Sequence, residues 1–223
     1  MSDPAPINRI QGNVLAAAER RLLIWLCARL PMWVTPDLLT AIGVAGSAMT
    51  FGGYALSNQG AGWLWLAIVG YAVNWFGDSL DGSLARFRKI ERPSFGYFID
   101  HSCDGIATLL IVAGLGFSAY VRLDVALFAL VGYLLLAIHA FLSVKVIGEM
   151  KLSYLSAGPT ELRLVLIAIT LAMMAFGPDG PRWIGKLGGF DLLFAAVAMV
   201  LIALFLLQTL VTARRLDRME RGT

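Results

Sequence analysis

The stretch Gly77–Gly105, GDSLDGSLARFRKIERPSFGYFIDHSCDG, sets Asp78, Asp81, Asp100 and Asp104 inside a chain otherwise dominated by apolar residues. Asp78 and Asp81 stand three residues apart and Asp100 and Asp104 four apart, so on helices each pair projects from one face. Ionisable groups at membrane depth are costly and face a cavity or the protein interior, so they mark a site. Two such acidic helix turns facing each other would build an all-oxygen cage. Hard divalent cations such as Mg²⁺ take those donors, whereas zinc calls for nearby His or Cys.

Outward from this stretch the chain reads as lipid-embedded. Its mean hydropathy of +0.74 and 58% hydrophobic residues exclude an ordinary soluble domain. Apolar runs near the ~20 residues needed to cross a bilayer are Leu38 to Leu56, Cys103 to Tyr120, Val125 to Val144 and Leu192 to Val211. Gly62 to Phe76, continuing into the acidic motif, and Leu162 to Phe176 are shorter candidates. The fold class expected is therefore all-α integral membrane, with six transmembrane helices and an N-terminal amphipathic interfacial helix. Residues 7 to 30 carry Ile7, Ile10, Val14, Leu15, Leu22, Trp25 and Leu26 at near-helical spacing among Arg9, Glu19, Arg20, Arg21 and Arg29, as a helix lying in the interface does. Residues 1–34 form this juxtamembrane segment and residues 35–223 the six-span domain. Thr35-Pro36-Asp37 supplies a cap, a first-turn proline and a first-turn acid for the first span. Pro93 and a cap at Ser94 are expected to open the third.

Charge sets the orientation, because short cytoplasmic loops retain Lys and Arg. Six spans put both ends on one side, together with Arg9, Arg20, Arg21, Arg29, Arg86, Arg88, Lys89, Arg92, Lys145, Lys151, Arg163, Arg214, Arg215, Arg218 and Arg221. Only Arg122, Arg182 and Lys186 fall on the other. Both termini and the acidic motif are thus expected at the cytoplasmic face, in a setting such as the bacterial inner membrane. A formal charge of +3 is too small, and the cations too dispersed, for a nucleic-acid partner; anionic membrane lipid is the simpler contact. Cys27 and Cys103 have no disulfide or metal spacing and are expected reduced. The N-terminus shows no charged segment running directly into an apolar core with a cleavage site. Gly43, Gly46, Ser47 and Gly53 give the first span a small-residue face that permits close helix packing and a homodimer.

Four carboxylates can hold one or two divalent ions, Mg²⁺ or Mn²⁺, and two bring the site near neutrality. A metal pair can clamp phosphate oxygens and stabilise a leaving group. Gly82 and Ala85 leave a slot for a flat or bulky ligand, and Arg86 offers a planar fork to phosphate or carboxylate. The combination points to a phosphorylated, nucleotide-linked substrate.

The string Asp78-x2-Asp81-Gly82-x2-Ala85-Arg86, nine residues, Gly96-x3-Asp100-x3-Asp104 resembles the signature of the CDP-alcohol phosphotransferases, membrane enzymes of phospholipid synthesis. Chance does not supply eight fixed positions at residue frequencies of about one in twenty. The resemblance implies that Asp78, Asp81 and Asp100 ligate metal, with Asp104 joining at one ion, and that Gly82, Ala85 and Arg86 border the CDP moiety. It makes Asp104 the general base that deprotonates an alcohol acceptor for attack on the donor's β-phosphate, with CMP leaving. WVTPDLLTAIG, DHSCD and the PTE of Pro159 to Glu161 resemble segments of the choline and ethanolamine phosphotransferases, which use CDP-alcohol donors. Another branch uses CDP-diacylglycerol and an anionic acceptor, which Lys145, Lys151 and Arg163 would suit; positive-inside topology alone also puts cations there.

Blander and rival readings accompany these. Helix-end salt bridges to Arg86, Arg88 and Arg92 would explain the acids but not the glycines. His101 points to a different helix face from the motif acids, and His139 is expected to hydrogen-bond between helices. Glu161 is a rival base. Two other classes remain for comparison, a divalent-cation transporter and a non-catalytic membrane lipid-binding protein. A transporter would place its site near the midplane, between repeated halves or broken helices, and no internal repeat is visible in the sequence.

Overall fold

The computed structural model describes residues 16–147, 158–178 and 187–222, which form seven α-helices. They are α1 (Ala16–Cys27), α2 (Pro36–Leu56), α3 (Leu64–Arg88), α4 (Pro93–Gly116), α5 (Leu123–Ile147), α6 (Pro159–Phe176) and α7 (Gly189–Arg221), with short 3₁₀ turns at Ser57–Gln59 and Ala61–Trp63 between α2 and α3. Among the described residues, five helices are long and apolar enough to cross a membrane: α2, α4, α5, α6 and α7. The chain is thus an all-α integral membrane protein.

α3 has the length but carries Asp78, Asp81, Arg86 and Arg88 in its second half. The six-span reading therefore rests on its packing. A methyl on Gly77 would lie 2.3 Å from Gly43 N, one on Gly46 2.3 Å from Asn74 N, and one on Gly53 2.3 Å from Ala67 N. These contacts run antiparallel along the two helices, so α3 lies backbone against backbone beside α2. The small-residue face is spent inside the chain, where Gly43, Gly46, Ser47 and Gly53 are buried. It offers no surface to a second copy.

The predicted start of α2 is present: Thr35 Oγ1 accepts from Leu38 N at 3.2 Å, with Pro36 in the first turn. The elbow between α3 and α4 differs from expectation. α3 runs on to Arg88 and closes with Lys89 in the left-handed region (φ 57°), whose N–H and that of Ile90 cap Arg86 O and Ala85 O. Pro93 occupies the first helical position of α4, so Arg92 takes the cap position and Ser94 lies inside the first turn. Arg88 then donates to Leu30 O (3.0 Å), Pro31 O (2.9 Å) and Val34 O (2.5 Å), tying the end of α3 to the linker between α1 and α2. Arg92 pairs with Asp37 at the start of α2.

Two apolar clusters hold the bundle. Cys27, Val34, Leu39, Leu80 and Leu84 join α1, α2 and α3 at one end. Tyr54, Leu64, Tyr71, Leu115, Met173 and Phe194 lie toward the other, where the Tyr54 hydroxyl meets those of Tyr71 (3.2 Å) and Thr170 (2.6 Å). His139 links α5 to α7 as expected, facing Ser143 Oγ at 3.3 Å and Thr209 Oγ1 at 3.4 Å.

Candidate active site

Asp78 and Asp81 lie seven to ten residues before the end of α3, and Asp100 and Asp104 seven to eleven after the start of α4. At 1.5 Å per residue they sit about 10–16 Å in from those helix ends, deeper than a placement at the span ends implies. All four line one cleft with Thr40, Gly43, Val44, Asn74, Cys103 and Ala107. Its enclosed space is ≈ 10 Å³, room for about one water-sized sphere. A nucleotide would have to lie at the mouth.

The carboxylates are held by neighbours that sequence spacing did not disclose. Thr40 Oγ1 donates to Asp81 Oδ2 at 2.6 Å, and the Gly82 N–H is directed at Asp81 Oδ1. Asn74 donates to Gly43 O (3.0 Å) and Ser47 Oγ (2.9 Å), and its Oδ1 accepts from Arg163 Nε at 2.8 Å. Arg163 Nη2 reaches Asp78 Oδ2 at 2.5 Å. One signal was available: Asn74, Asp78 and Asp81 are spaced i, i+4, i+7, which puts them on one face of the helix.

Arg163 thus reaches from α6 to two residues of the cleft wall, Asn74 and Asp78, while Lys145 is exposed in the last turn of α5. Lys151 lies outside the described residues. Glu161 is not among the cleft residues; its Oε2 accepts from Gly158 N at 3.0 Å and caps α6. His101 turns its Nδ1 to Tyr97 O at 2.8 Å, with its ring 4.2 Å from that of Tyr97 and 5.3 Å from Phe141. Asp104 keeps an open face.

The motif glycines Gly82 and Gly96 both stand clear of the packed helices. A methyl on Gly96 would meet nothing within 4 Å, and one on Gly82 would be 3.4 Å from the mobile tip of Arg86. Packing within the chain does not require glycine at either place, although glycine weakens a helix by ~0.8–1 kcal/mol relative to alanine. The space above them is available to a ligand, and Arg86 stands exposed beside it.

Residues 33–213 match the family model described as CDP-alcohol phosphatidyltransferase, which covers more than half of the chain. The chain belongs to the CDP-alcohol phosphatidyltransferase family. Among relatives in this family, Cholinephosphotransferase 1 of Danio rerio is 29% identical over 122 residues, covering 48% of this chain and 32% of the relative. Cholinephosphotransferase 1 of Gallus gallus is 30% identical over 125 residues, 50% and 37% of the two chains. Archaetidylinositol phosphate synthase of Pyrococcus horikoshii is 35% identical over 100 residues, 44% and 50% of the two. The chain thus spans about a third to a half of the length of the curated relatives it matches.

Proposed function

We propose that this chain is a metal-dependent CDP-alcohol phosphotransferase of phospholipid synthesis, moving a substituted phosphoryl group from a CDP-linked donor to an alcohol. The observation that carries the reading is the convergence of the motif on one cleft: four carboxylates line it, and Gly82 and Gly96 leave open space that the fold does not use. Relatives named for cholinephosphotransferase and for archaetidylinositol phosphate synthesis support the class of reaction. Six spans, with both termini and the cleft cytoplasmic and a bacterial inner membrane as the setting, complete the reading. Arg86, Arg88, Lys89, Arg92, Lys145 and Arg163 belong to the helix ends on the cleft side, whereas Arg122 lies at the opposite end, paired with Asp124.

The donor set fits hard cations. Every acidic ligand is oxygen, and four carboxylates against the single guanidinium of Arg163 leave three surplus negative charges. As the side chains stand, no three acidic groups among the described residues are close enough together to hold an ion; rotation of carboxylates on fixed helices is what loading requires. Asp78, Asp81, Asp100 and Asp104 would hold one or two Mg²⁺ or Mn²⁺. When bound, these ions supply charge neutralisation for the donor's phosphates.

The protein's own groups do the rest. Gly82 and Ala85 admit the cytidine diphosphate along α3, and Arg86 pairs with phosphate oxygens. Asp104 takes the proton of the acceptor hydroxyl. The acceptor oxygen bonds to the donor's β-phosphorus, the bond from that phosphorus to the bridging oxygen breaks, and CMP leaves with the electron pair. Asp104 is preferred to Glu161 as base because Glu161 caps α6. An anionic acceptor would meet Arg163 at the start of α6 and Lys145 at the end of α5.

Purified protein in lipid, supplied in turn with CDP-diacylglycerol, CDP-choline and CDP-ethanolamine across a panel of alcohol acceptors, should release CMP with one class of donor. Asp104→Asn should abolish release. A transporter or a lipid-binding scaffold would release no CMP, and such a scaffold would keep its binding in that variant.

A further inference from the structure

The cleft keeps one of its carboxylates engaged by a cation of the protein itself. Arg163 bonds Asp78 Oδ2 through Nη2 and Asn74 Oδ1 through Nε, and the two charged side chains are 13% and 25% exposed. Its third nitrogen, Nη1, is buried with no hydrogen-bond partner among the described residues. A buried donor left unmet is costly, so this arrangement of the guanidinium is incomplete.

We propose that Arg163 is a latch on Asp78: without a divalent cation it withholds that carboxylate from the acidic cleft, and a cation is taken up only as the guanidinium lets go. The inference rests on the metal-binding part of the proposed function. Guanidinium and dication are like charges seeking the same oxygen in a poorly screened site, so close contact of both is disfavoured. Arginine does not lose its proton at any accessible pH; it can only move. Once released, its fork presents Nη1 and Nη2 together, the geometry that receives a phosphate or carboxylate in two parallel bonds. The moving part is the side chain, because the first turn of α6 is pinned. Glu19 Oε1 accepts from Trp75 Nε1 at 2.9 Å and from Thr160 Oγ1 at 2.6 Å, joining α1, α3 and α6 three residues before Arg163.

The opposite role is for Arg163 to steady Asp78 as a ligand, as hydrogen-bond partners of metal ligands commonly do. The two roles differ in sign. Mn²⁺ is titrated into the full chain in lipid nanodiscs without substrate, and free Mn²⁺ is read by electron paramagnetic resonance. Arg163→Gln should bind Mn²⁺ about tenfold more tightly than the wild type, within the range that coupling between contacting residues spans. Arg163→Lys, which keeps a cation but loses the fork, should fall between them and carries the test if Arg163→Gln does not fold. In an Asp78→Asn background, Arg163→Gln should make no difference. Without metal, Arg163→Gln should melt below the wild type, and Mn²⁺ should raise its melting temperature by more. Equal or weaker Mn²⁺ binding by Arg163→Gln overturns the latch while leaving the metal site standing. No Mn²⁺ binding by the wild type or any variant overturns the metal site and the latch with it.

Discussion

Gly77 and Gly82 sit on the same helix five residues apart, and alanine at the two positions should act in opposite ways. At Gly77 the new methyl would lie 2.3 Å from Gly43 N and 2.4 Å from Leu39 O, where ordinary contact begins at 3.4 Å. Helices α2 and α3 would have to part by about 1 Å, because the obstructing atoms are backbone. That separation would strain the Thr40–Asp81 and Asn74–Gly43 bonds, at 2.6 and 3.0 Å. Overpacking of this kind costs ~1–3 kcal/mol, and each hydrogen bond adds about 1 kcal/mol. Gly77→Ala should therefore lose roughly 3–5 kcal/mol of stability and its activity with it. At Gly82 the methyl meets only the tip of Arg86, at 3.4 Å. Gly82→Ala should be stabilised by ~0.4–1 kcal/mol, yet lose about 10- to 100-fold in kcat/KM because the methyl fills the donor's slot, the range one methylene commands in a pocket. Thermal unfolding in detergent, followed by tryptophan fluorescence, and CMP release on the same preparations separate the two effects. Wild-type kcat/KM in Gly82→Ala, or a melting temperature as low as that of Gly77→Ala, would refute the distinction between packing and ligand glycines.

Thr40→Val keeps the shape of the side chain and removes the only hydroxyl on Asp81 from α2; Mn²⁺ binding should weaken about tenfold, and unchanged affinity would show that Thr40 does not orient the ligand. Asp191 accepts from Gly188 N at 2.9 Å and Arg122 N at 2.8 Å at the end opposite the cleft. Asp191→Asn exchanges one acceptor for a donor and should cost ~1–3 kcal/mol of stability with kcat unchanged, so a large fall in kcat would contradict the placement of the site. Burial pushes the Cys27 thiol above its ordinary value of 9.0, outweighing the pull of Arg88 and Arg86. Because the neutral thiol is favoured, alkylation of Cys27 should be slow at neutral pH and still be accelerating past pH 9.0; a rate that levels off below that pH would sink the assignment.

The helices were legible because each carries its own signal. Apolar length marked the spans, and Thr35-Pro36 marked where α2 starts. The acids of the site were legible because charge is rare in such a chain. Their partners were not. Thr40 bonds Asp81 across 41 residues, Arg163 bonds Asn74 across 89, and Glu19 bonds Thr160 across 141. No local period encodes such pairs, which exist only once α1, α2, α3 and α6 are packed. Arg163 shows the cost of this: its charge suggests a contact for an anionic acceptor, and nothing local reveals that the folded chain also pairs it with Asp78. Ser94 failed for a local reason, since Pro93 claims the first helical position and moves the cap back to Arg92. The small face of the first span could not be assigned to a partner in advance, because α3 inside the same chain competes for it and wins at backbone contact.

The most direct test of the central claim measures both products at once. Purified protein with its preferred CDP-linked donor, an alcohol acceptor and Mg²⁺ should form CMP and the new phosphodiester lipid in a one-to-one ratio. Chelation, and folded Asp100→Asn, should stop both. A folded wild-type protein that releases no CMP with any donor and acceptor pairing, or whose CMP release persists in full after chelation, would contradict the account.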